Sequence, residues 1–136
     1  MPTEEILYTF AMNSAMAHTL NKAVELLMRL KLGQYEELPF ALVGVTDPKF
    51  CEKRDSASPY LKAAFCQLYA GKGQTDWKDD EWYRLYDLFQ VIRYQIHQAE
   101  HPNSWGVDGN PPMHMSQEPM PVGKWERRQT DAAGTD

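Results

Sequence analysis

Five of the nine prolines fall between Pro102 and Pro121, in a stretch that also carries Met113, Met115 and Met120 at no helical spacing. Proline lacks the amide that an interior helical turn needs, and its ring meets the carbonyl four residues back, so no helix runs through that stretch. Any helical core must therefore be built from the residues before Pro102. Trp105, Val107, Val122 and Trp125 make residues 103 to about 125 too apolar for a free linker. That segment is expected to lie extended over the helices as a C-terminal tail, completing a single globular domain over residues 1–125. The closing "RRQTDAAGTD" has the composition of a disordered end, so residues 126–136 are expected to be disordered.

Upstream of the tail the periodicity changes from segment to segment. In "EILYTFAM", residues 5–12, Ile6, Tyr8, Phe10 and Met12 alternate with Leu7, Thr9 and Ala11, which predicts an N-terminal strand, with a helix as the alternative. Asn13 and Ser14 then offer a side-chain oxygen to a helix start. Met16, Leu20, Ala23, Val24, Leu27 and Met28 recur at three and four, and Gly33 supplies the stop. "QYEELPFALV" restarts as a short piece limited by Pro39. From Asp47 to Ser58 no period survives, so a loop is expected, with Ser58 capping and Pro59 opening the next helix. Leu61, Ala64, Phe65, Leu68 and Tyr69 stripe that helix up to Gly71. A third main helix begins near Asp79, where Asp79, Asp80 and Glu81 suit the positive end of the macrodipole, and it ends before Pro102. The fold class that follows is α+β and helix-dominated: an N-terminal strand, three main helices and the packed tail. Leu20, Val24, Leu27, Phe65, Leu68, Leu85, Phe89 and Ile92 are its expected core.

A net charge of −5 disfavours nonspecific binding to a polyanion, so nucleic acid is an unlikely partner. No run of about 18 apolar residues and no secretory leader pattern occurs, which points to a cytoplasmic protein without a membrane partner. Cys51 and Cys66 stand apart with no metal-ligand spacing and are expected as small buried hydrophobes.

The most chemical-looking motif is His97, Glu100 and His101, the H-x-x-E-H order of inverted zinc peptidases. Its context is poor. Pro102 follows the second histidine directly, and the later carboxylates Glu118 and Glu126 lie in the proline-rich tail, so the pair reads as dipole-favoured histidines in a last helical turn. "GKGQT" at 71–75 lacks the first glycine of a phosphate loop, because Cys66 stands there. Asp76, Asp79, Asp80 and Glu81 are explained by a helix start rather than by magnesium. No serine sits in a nucleophile elbow and neither cysteine has an activating neighbour. No catalytic residue, metal or cofactor is therefore expected. What remains is a recognition set of Gln34, Tyr35, Arg93, His97 and Trp105. Arg93 stands out because a guanidinium on an apolar helix face needs compensation, either from an internal carboxylate such as Asp87 or Asp108 or from an anionic ligand.

"NKAVELLMRLKLGQYEEL" (21–38) and "LYDLFQVIRYQIHQ" (85–98), followed by the acidic, proline-punctuated "WGVDGNPPMHMSQEPMP", resemble small proteins of unassigned function carried by phages and prophages. In that family a helix runs into G-Q-[FY]-E-E, and a later helix reads D-[LIV]-[YF]-Q-V-I-R. Here those positions are Gly33 to Glu37 and Asp87 to Arg93. The junction "IHQAEHPNSWG" and the segment 44–59 depart from the family pattern. The resemblance implies a non-enzymatic accessory protein, used against host defence or for takeover and acting in the cytoplasm of the host cell. The expected activity is binding of a small anionic, nucleotide-like ligand, with inhibition of a host protein as the alternative and a metal-dependent hydrolase as the least favoured reading. A homodimer or larger homo-oligomer is expected, because a strand at residues 5–12 would leave an open edge and two subunits could share one anion at Arg93.

Overall fold

The structure, a computed structural model, describes residues 6–71 and 78–103. Among them are four helices and no strand: α1 (Ser14–Lys31), α2 (Glu37–Leu42), α3 (Phe50–Leu68) and α4 (Asp80–Glu100). The α1 start is the capped one that the sequence predicts. Asn13 is extended, and its Oδ1 accepts the Met16 amide at 2.9 Å. Its end is equally local in origin. Gly33 takes φ +79°, which lets its own amide reach the Leu30 carbonyl and the Gln34 amide reach that of Arg29. These two bonds satisfy carbonyls that the last turn leaves open. α2 tolerates Pro39 because a first-turn residue has no intrahelical amide bond to lose.

α1 and α4 form an antiparallel pair that carries the core. His18 near the start of α1 meets Glu100 at the end of α4, while Lys31 at the end of α1 meets Asp79 and Glu81 at the start of α4. Between these ties, Val24 and Met28 pack with Trp82, Leu85 and Ile92. The Trp82 indole stacks on Tyr86 and donates its Nε1–H to the Met28 carbonyl at 3.2 Å, so the largest core residue also satisfies its polar atom. α4 is buried on more than this side. Asp87 and Val91, four apart on a different side of the helix, are the most deeply buried side chains described.

α2 bridges α1 to α3. The Lys22 ammonium reaches the Ala41 carbonyl, Arg29 lies 3.6 Å from Glu37, and Phe40 meets Phe50 with ring centroids 4.9 Å apart. The far end of α3 returns to α1 through Tyr69, whose hydroxyl donates to the Leu30 carbonyl, and to the α1–α2 link through an edge contact between Phe65 and Tyr35.

Three sequence expectations fail here. The α+β class is overturned, because residues 6–12 are exposed coil: Ile6, Leu7, Tyr8 and Phe10 are all at least 70% exposed on both sides of the alternation. A period of two makes a strand only where a partner supplies the ladder, and no strand among the described residues does so. Second, residues 50–58 of the expected loop 47–58 are the first half of α3. Its start is set by Asp47, which accepts the Lys49 amide at 2.7 Å and pairs with Lys53 at 2.9 Å, and Pro59 falls inside the helix. That half of the helix shows no apolar period because only Phe50 on it is buried. Third, the core is narrower than expected. Val24, Leu85 and Ile92 are buried and Phe65 and Phe89 half-buried, whereas Leu20, Leu27 and Leu68 are exposed, as are Cys51 and Cys66. The packed tail, Trp105 and the closing residues 126–136 lie outside the described residues. Among those described, no helix is long and apolar enough to cross a membrane.

Candidate functional site

The recognition residues expected from the sequence divide into two places. Gln34 and Tyr35 sit at the α1–α2 junction, where the Gln34 side-chain oxygen accepts Arg29 Nη1 at 3.2 Å and Tyr35 packs against Phe65. Arg93 and His97 stand one turn apart on α4, 8% and 6% exposed, and Arg93 Nη2 donates to the side-chain oxygen of Gln90. Because α1 and α4 are antiparallel and Lys31 touches Asp79, the α1–α2 junction lies beside the start of α4, with Arg93 about 20 Å further along that helix. One small ligand does not bridge that span. The expected grouping of Gln34 and Tyr35 with Arg93 and His97 is thus not assembled within one chain.

Glu100, the carboxylate of the H-x-x-E-H order, turns toward α1. Its two oxygens lie 3.0 and 3.1 Å from His18 Nε2. That hydrogen bond, reinforced by Ser14 and by the charge of His101, holds the Glu100 carboxyl below its ordinary value against a smaller opposing effect of burial. Glu100 is therefore an inter-helix tie between the open ends of α1 and α4. The acidic start of α4 is occupied in the same way. Asp79 caps the helix through the Trp82 amide at 2.8 Å and binds Lys31 at 2.9 Å, and Glu81 lies 3.3 Å from the same ammonium. Among the described residues, no group of three or more His, Cys, Asp or Glu side chains is placed to hold a metal ion.

The surface that sequence reasoning passed over is the outer side of α1. Met16, Leu20, Ala23 and Leu27 follow one another at four, three and four residues and all are exposed, Met16 by 58% and Leu27 by 44%. Leu30, half-buried, continues the row by three. Val24 and Met28, one position on from Ala23 and Leu27, form the inward row. The sequence reads as a single stripe where there are two rows, with Ala23 beside Val24 and Leu27 beside Met28. A helix facing one core ordinarily carries a stripe of that width, so only the observed exposure separates the two rows. Met12, directly before the Asn13 cap, carries the exposed apolar surface back to Ile6.

Comparison with protein-family models, with curated proteins and with solved structures yields no match.

Proposed function

We propose that the protein is a non-catalytic accessory binding protein, of the kind the resemblance to phage and prophage proteins implies, and that it acts by joining its apolar surface to another protein chain. The observation that carries this reading is the outward apolar row of α1 together with exposed Ile6, Leu7, Tyr8 and Phe10. Monomeric soluble proteins rarely leave so many large apolar side chains together in water, and surfaces of this kind mark contacts with other macromolecules. The small-ligand reading loses ground by the same geometry, since its expected residues stand about 20 Å apart.

A narrower version of that reading keeps one observation in its favour: Arg93 and His97 are both buried and one turn apart on α4, a placement that suits a small anion. One experiment separates the two. Thermal unfolding is followed with nucleotides, cyclic dinucleotides, zinc or magnesium in turn. A ligand present at a hundred times its dissociation constant adds about 2.7 kcal/mol of stability, several degrees for a domain of this size. The protein-binding reading expects no shift with any of them, and a ligand-specific rise overturns it.

A further inference from the structure

We propose that the outer row of α1 is a self-association face, on which a second copy of this chain docks with its own α1 antiparallel about a twofold axis at Ala23. The inference rests on the protein-binding reading and names the partner of that surface. Its first support is the spacing. Met16, Leu20, Ala23, Leu27 and Leu30 follow at four, three, four and three residues, the alternation that keeps a helix seam facing a second helix. Two stacked rows on α1 then have two helical partners: Val24 and Met28 face α4 of the same chain, and the outer row faces the new one.

The second support is symmetry. Taken from Ala23 outward, the row reads large, large, small, large, large in both directions. An antiparallel copy thus sets Met16 opposite Leu30 and Leu20 within one residue, about 1.5 Å of rise, of the level of Leu27, and Ala23 meets itself where the helices approach most closely. A twofold interface needs such self-complementarity, because each residue must find its counterpart on the same surface patch.

Charge is the third. Every charged or titratable side chain of α1 from His18 to Arg29 is engaged away from the row: His18 with Glu100, Lys22 toward the Ala41 carbonyl, and Glu25 and Arg29 with each other and with Glu37. The row itself is uncharged. A chain of net charge −5 can therefore meet its own copy here without setting like charges face to face, whereas a strongly basic partner would find no carboxylate to bind.

Area decides what else takes part. The 18 residues of α1 extend about 27 Å, and a strip about 10 Å wide offers roughly 300 Å² per copy, short of the about 800 Å² each partner gives a standard interface. The exposed residues Ile6, Leu7, Tyr8 and Phe10 are the adjoining apolar surface and supply the remainder across the partner.

The test uses the full chain. Light scattering at tens of micromolar is expected to give a mass near twice 15.7 kDa. Ala23→Glu sets two carboxylates against each other at the axis and is expected to weaken the dimer at least about tenfold, with unchanged helix content because Ala23 is exposed. Register is read in a Cys51→Ser/Cys66→Ser background with a mild oxidant. Ala23→Cys is expected to bridge two copies, while Met16→Cys, about 20 Å from its own mate in the antiparallel pair, is not. A monomeric mass, a dimer indifferent to Ala23→Glu, bridging through Met16→Cys, or failure of Ala23→Cys to bridge overturns the proposal. The broader reading fails separately, through a ligand-specific thermal shift, which none of these mass or bridging measurements reports.

Discussion

Asp79→Ala removes two bonds from one carboxylate. Oδ1 caps α4 through the Trp82 amide at 2.8 Å, and Oδ2 accepts from Lys31 at 2.9 Å, fastening the start of α4 to the end of α1. Loss of an N-cap costs about 1 kcal/mol, and a largely exposed ion pair adds roughly 0.5 kcal/mol after solvent screening, so Asp79→Ala is expected to cost about 1.5 kcal/mol. Asp79→Asn keeps an oxygen for the Trp82 amide and gives up chiefly the ion pair, at about 0.5 kcal/mol. Urea unfolding followed by circular dichroism measures both. The pH dependence carries its own sign. The Lys31 hydrogen bond, and after it the Trp82 amide, hold the Asp79 carboxyl below its ordinary 3.8, so its stabilisation is whole above that pH and is lost as pH falls through the folded value. Lys31 is raised above its ordinary 10.5, chiefly by its hydrogen bond to Asp79, so its share is whole below that pH and is lost as pH rises through the folded value. The gap between Asp79→Ala and the unaltered chain should thus be widest near neutral pH and narrow in acid. An Asn variant as costly as the Ala variant, or a gap that stays constant down to strongly acidic pH, refutes the reasoning.

Trp82→Ala removes the central core ring and leaves the Met28 carbonyl without its donor, and is expected to cost about 3–5 kcal/mol by denaturant melt. Pro59→Ala, in the interior of α3 and exposed, restores an amide to the helix and is expected to raise its stability by up to about 2 kcal/mol, read as later loss of helical signal on heating. The double variant Ile6→Ser/Phe10→Ser is expected to leave the melt within about 0.5 kcal/mol, because both side chains are already in water, while weakening dimerisation in light scattering.

The helix ends were the most legible part of the fold, since each is decided by a few adjacent residues. Asn13, Gly33 and Asp79 do at the termini of α1 and α4 what their side chains or backbone freedom allow in any chain. Elements whose state depends on a distant partner were not legible. The alternation at Ile6–Met12 is a strand pattern with no strand beside it among the described residues, and the first half of α3 buries only Phe50, too little to write a period into the sequence. Pro59 points the same way, because its preference for the first turn is statistical, and a largely solvated helix accepts it in the interior with no core contact at stake.

The same distinction governs the candidate site. Arg93 and His97 were recognisable as unusual because a charged or titratable group on an apolar helix is locally conspicuous, and both are indeed buried. Their expected companions Gln34 and Tyr35 were chosen by residue type, and only the antiparallel course of α1 and α4, fixed by Lys31 with Asp79 and His18 with Glu100, shows that they belong to the opposite end of the helix pair. The outer row of α1 was hidden for the converse reason. Apolar residues at three and four are expected to face a core, and Val24 and Met28 fully account for the face that does. The leftover residues Met16, Leu20, Ala23 and Leu27 keep a helical spacing of their own, and a spacing maintained over about three turns without a partner among the described residues is best explained by a partner outside the chain.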